Sequence, residues 1–94
     1  MSEAFLKQLE ITRTLAEERL EAVRRGEAAQ GNEAELHMFL EDFARAEAEV
    51  RSGEFAMTAD QRSLASARRV VDTWPFHDPL ASAIMDLENI YTSL

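Results

Sequence analysis

Glu33, His37 and Glu41 recur every four residues. On a helix that spacing stacks their side chains along one face, where an imidazole and two carboxylates could share a divalent cation. A complete site needs ligands from another helix, and none can be placed, so the pattern predicts a solvated histidine among acids and no metal centre. His77 beside Asp78 has the residue types of an acid–base pair, yet adjacent side chains rarely face each other productively, and Asp78 stands where a helix N-cap belongs. Glycine occurs only at positions 26, 31 and 53, which leaves no sharp turn for a serine nucleophile and no loop to cradle phosphate. The absence of cysteine removes thiol nucleophiles, thiolate metal sites and disulfides together. No enzyme, no cofactor and no metal is therefore expected.

The elements that carry these residues are read from apolar spacing. Phe5, Leu9, Ala16, Leu20 and Val23 follow a helical interval after Ser2, with Glu10/Arg13 and Glu21/Arg25 placed to pair on the exposed side. This predicts a first helix over 3–25, or over 3–30 if "GEAAQG" continues it. Asn32 with Glu35 has the spacing of a capping box, and Leu36, Phe39, Leu40, Phe43, Ala46 and Val50 line a second helix over 33–51. Thr58 with Gln61 repeats that spacing and predicts a third helix over 59–74, its core side made of Leu64, Ala67, Val70, Val71 and Trp74. Asp78 and Pro79 open a fourth over 79–93, lined by Leu80, Ile84, Leu87, Ile90, Tyr91 and Leu94.

No segment alternates with a period of two, so no sheet is expected. The 94 residues fit a single domain, 46% hydrophobic and 30% charged, with room for one core. The fold class is all-α: a small four-helix bundle or helical-hairpin-based domain, closed within one chain or completed by dimerisation. The N-terminus reaches charged residues too soon for a secretory signal, and no apolar run approaches the roughly 18 residues of a membrane span, which predicts a cytoplasmic protein.

Surface chemistry supplies the functional expectation. Ala4, Ile11, Leu15 and Ala22 form a second apolar strip on helix one, displaced from its core face and separated from it by Gln8 and Arg19. A helix with two apolar faces needs two neighbours; both can be helices of the same core, but in a small domain the second is expected to be a partner chain. Met38 and Met85 point away from their stripes. Phe76, between Pro75 and Pro79, belongs to neither adjoining stripe; it is expected to cap the core, with exposure to a partner as the alternative. Glu47 and Arg68 fall at the rims of their stripes or pair with each other.

With 18 acidic against 10 basic residues the net charge is −8, which opposes direct binding to nucleic acid or to an anionic membrane. Carboxylates crowd helix two and helix four, where Glu41, Asp42, Glu49, Asp86 and Glu88 form a candidate acidic surface. The leading expectation is a non-enzymatic interaction protein, an adaptor, chaperone-like partner or inhibitor. It would bind a protein, as a homodimer or a hetero-complex, through Ile11, Leu15, Ala22, Met38, Phe76 and Met85. The alternative is an acidic inhibitor or nucleic-acid mimic that occupies a basic surface on a nucleic-acid-binding protein or toxin.

Overall fold

A computed structural model describes residues 2–94, and they are all-helical. Four α-helices follow in order: α1 (Glu3–Arg24), α2 (Glu33–Ser52), α3 (Ala65–Thr73) and α4 (Pro79–Tyr91), with one 3-10 turn at Ala59–Gln61. Among the described residues no helix is long and apolar enough to cross a membrane.

Helix α1 takes the shorter of its two expected lengths. Gly26 adopts φ +79, its N–H bonds the Val23 carbonyl, and the Glu27 N–H reaches the Ala22 carbonyl. This double closure uses up carbonyls that a longer helix would need, and only glycine takes the left-handed backbone it requires without strain. The return loop then enters α2 through Asn32, whose side-chain oxygen accepts from the Glu35 N–H at 2.9 Å. The Glu35 carboxylate does not close the box; it pairs instead with Arg69 of α3. The pairs expected along α1 are also redirected, Arg13 to Glu47 of α2 and Arg25 to Glu27 in the loop. Glu47 holds Arg51 as well, so its partners are not Arg68.

Each helix runs antiparallel to the next, and α4 returns alongside α1. Arg13 meets Glu47 while Arg24 meets His37, Asp42 meets Ser66 while Glu35 meets Arg69, and the Thr12 hydroxyl meets the Ala83 carbonyl while Arg19 meets Asp78. Helix α1 therefore lies between α2 and α4, which explains why it carries more than one apolar direction. Phe5, Leu9, Leu36, Phe39, Phe43, Leu64, Leu80, Ile84 and Leu87 close the centre and are fully enclosed. Burial of each such side chain is worth about 2 kcal/mol, and that sets the direction every helix must face.

The third helix departs from expectation. The Thr58 hydroxyl bonds Asp60, the turn closes at Gln61, and Arg62 and Leu64 are extended, so α3 begins only at Ala65. The cause is tertiary. Arg62 is buried, its guanidinium 3.9 Å over the Phe55 ring, donating to the Tyr91 and Leu94 carbonyls at 3.1 and 2.9 Å. Extended backbone is what lets this side chain reach across the end of α4. Helix α3 is then capped from outside its own segment: the Leu64 N–H donates to Glu88, and the Ser66 N–H and hydroxyl both donate to one oxygen of Asp42. At nine residues α3 is too short to be stable alone, so these caps and its packing hold it.

Two consequences for stability follow. Asp42 is buried and its other oxygen takes Arg45 at 2.7 Å, so Asp42→Ala leaves enclosed donors without a partner. A loss of about 3 kcal/mol in urea unfolding is expected, against a change within about 0.5 kcal/mol for Glu41→Ala at the exposed position next to it. The second concerns pH. Burial alone pushes the Asp78 carboxyl up, but the bonds from Arg19 and from the Ala81 and Leu80 N–H groups outweigh it and hold the group below its ordinary value. Glu49 is lowered in the same way, burial opposed by Tyr91, the Ala56 N–H and Arg45. A carboxyl lowered in the native state stabilises fully above its unfolded value near ~4, and the contribution disappears as pH falls through the native value. The urea midpoint should therefore fall steeply below about pH 4, and Asp78→Asn should flatten that fall while lowering the plateau at neutral pH.

Candidate functional site

Pro75 determines where α3 ends. The residue before a proline is pushed out of helical backbone, and Trp74 is extended at φ −107, ψ 149. Three residues later Asp78 starts α4, its side chain accepting from the Leu80 and Ala81 N–H groups at 2.9 and 3.3 Å, with Pro79 in the first turn. The same Asp78 oxygen takes Arg19 of α1 at 2.9 Å, and Arg19 also donates to the Gln30 carbonyl at 2.9 Å.

Trp74 completes the anchor. Its ring packs 5.5 Å from that of Phe39, lies beneath the Arg19 guanidinium at 5.4 Å, and fills the space against Gly31. A Cβ on Gly31 would stand 3.0 Å from the indole, and Gly31 has φ +104, so both space and backbone require glycine there. With Trp74 held inside, the turn of Pro75, Phe76 and His77 is carried outward. Phe76 is 88% exposed. The expectation that it caps the core is thus overturned: of the corner's two aromatic side chains, Trp74 is the one that turns inward.

Around Phe76 the surface is apolar. Val71 of α3 is 50% exposed although its sequence position had suggested a core residue, and Met85 of α4 is half-buried. Together with Pro75, Ala81 and Ser82 they surround a cavity of about 200 Å³ whose floor is Val70 and Trp74. Val71 and Pro75 are the site residues that sequence reading missed. The available signal was angular: Val71 lies 100° round the helix from Val70, at the edge of the face that Ala67, Val70 and Trp74 share.

The six candidate contact residues occupy separate faces. Phe76 and Met85 meet at this corner. Ile11 is 50% exposed on α1 with Leu15 and Ala22 partly buried beside it. They follow Gln8 and Thr12, the residues that touch Ala83, and so lie along the outer edge of the α1–α4 seam. Met38 lies in the groove between α2 and α3 with Arg45, Arg68 and Arg69.

The candidate acidic surface is largely internal. Asp42 is buried on Ser66 and Arg45; Glu49 is mostly covered and accepts from the Tyr91 hydroxyl and, at 3.1 Å, from the Ala56 N–H; Glu88 takes the Leu64 N–H at 3.0 Å. Each satisfies a backbone or hydroxyl donor at a helix junction, a role that composition alone does not distinguish from a solvated carboxylate. Glu41 and Asp86 are exposed. As for chemistry, Arg24 stands 3.2 Å from His37 and 3.8 Å from Glu33, placing a guanidinium where the helical spacing had offered a cation site. Among the described residues no three His, Cys, Asp or Glu side chains are grouped to hold a metal. Asp78 is engaged with Arg19 and the start of α4, not with His77. Comparison of the chain with protein families, with characterised proteins and with solved structures finds no match to any of them.

Proposed function

We propose that this chain is a non-enzymatic protein–protein interaction module whose docking surface is the corner between α3 and α4. The observation that supports it is Phe76, held 88% exposed by a braced turn next to an apolar cavity. Covering a phenylalanine is worth about 2–3 kcal/mol, and an isolated domain forfeits that stabilisation when it presents the ring to water. Binding recovers it. Because Pro75 and Pro79 bracket the turn and Trp74 anchors it, little backbone freedom is lost on association, which is the condition under which an aromatic anchor dominates an interface.

The strip on α1 is a weaker candidate, since Leu15 already packs against the core and Ile11 is its only large side chain left half exposed. An acidic inhibitor or nucleic-acid mimic has less support than the charge count suggested, because Asp42, Glu49 and Glu88 serve the bundle itself.

The test is a photo-crosslinking residue at position 76 in cells of the native host, followed by titration of whatever partner is captured. Phe76→Asp should leave thermal stability unchanged, within about 0.5 kcal/mol, and weaken that partner by about 30-fold. Trp74→Ala, by contrast, should lose about 3–5 kcal/mol of stability. A partner that binds Phe76→Asp as well as the parent but is lost with Ile11→Asp would move the docking surface to α1.

A further inference from the structure

We infer that the occupant of the α3–α4 corner is a cationic amphipathic segment of a partner protein, which sets one large apolar side chain in the cavity and basic residues over the surrounding surface. This rests on the interaction reading above and adds the partner's chemistry. The cavity, about 200 Å³ and lined almost wholly by apolar groups, has room for one Leu, Met or Phe side chain and offers it no polar anchor.

Charge decides what surrounds that side chain. From position 70 to 94 the chain has Asp72, Asp78, Asp86 and Glu88 and no lysine or arginine. Asp78 and Glu88 are engaged within the fold; Asp86 is exposed and directly follows Met85 of the patch, while Asp72 lines the α2–α3 groove with Arg45, Arg68 and Arg69. The whole molecule has a net charge of −8. A second copy would bring another −8 to the same corner, so self-association through it works against repulsion that a basic segment converts into attraction.

Trp74 makes the corner readable, because it is the one tryptophan of the chain and forms part of the cavity floor. The experiment titrates the intact protein with three synthetic helical peptides of about 14 residues that share one Leu/Phe stripe and carry Lys, Gln or Glu at the remaining positions. The Lys peptide should change Trp74 emission, bind at least about tenfold more tightly than the Gln peptide, and weaken about tenfold between low salt and ~0.5 M salt; the Glu peptide should not bind. Val71→Asp and Met85→Asp, with helicity retained, should abolish the response even though each adds negative charge. Equal binding of all three peptides would overturn the charge inference and leave the docking surface standing. Failure of all three would overturn both. Lys-peptide binding that survives Val71→Asp would show diffuse attraction to the acidic surface and overturn the inference, as would a dimer in sedimentation equilibrium that Val71→Asp splits.

Discussion

Arg19 and Asp78 face each other at 2.9 Å with both side chains largely covered, and the arrangement of the bundle's upper end follows from that pair. Neither charge can be left alone at such a position, because an uncompensated, desolvated ion costs several kcal/mol. The pair therefore constrains where the start of α4 can sit against α1. Each member of the pair also ties in its surroundings: Asp78 takes the first N–H groups of α4, and Arg19 takes the Gln30 carbonyl and covers the Trp74 ring. Loop, corner and indole are thereby fixed against one another. Phe76 stands outward on that braced corner, beside an open apolar cavity, which ties the proposed function to a fixed turn and not to a flexible loop.

A second set of carboxylates does the same work at the opposite junctions. Asp42 caps α3, Glu88 receives the Leu64 N–H, and Glu49 joins Tyr91 to the Ala56 backbone. Arg62 closes the end of α4 from the extended stretch before α3. Short helices gain little from their own backbone bonds, so α3 exists because residues on α2 and α4 satisfy its first N–H groups. The acidity of the sequence is thus partly architectural. What remains exposed contributes to the net charge of −8 without a structural partner of its own, among the described residues, at positions such as Glu41 and Asp86.

Apolar periodicity made the helix count, the order and most of the core legible, since Phe5, Leu9, Leu36, Phe43 and Ile84 are buried for the reason their spacing implies. Proline marked the end of α3 because its effect is local, whereas two glycines five residues apart left the end of α1 open between Gly26 and Gly31. Failures occurred where the deciding partner lay far along the chain. Thr58 and Gln61 have the right spacing to cap a helix, but Arg62 is drawn into the end of α4 and leaves a turn where a helix was expected. Asp42 and Glu41 look alike in sequence, yet one faces Ser66 and the other water. Phe76 was ambiguous because local spacing does not say which of a corner's two aromatic residues, here Trp74, turns inward.

The difference between the α1 strip and the corner shows why exposed apolar area by itself is a poor guide to binding. Ile11 and Val71 are equally exposed, at 50%. Ile11, however, stands on a helix whose neighbouring strip residue Leu15 already packs against its own core, so a partner there meets Ile11 with only alanines, Ala4 and Ala22, beside it. Val71 borders a concavity that Met85 and Phe76 continue, and a side chain entering it leaves water on several sides at once. Apolar burial scales with the area both surfaces lose, and a concave site removes more of the guest's area than a ridge of the same exposure. The corner is favoured because its shape multiplies what each exposed carbon contributes.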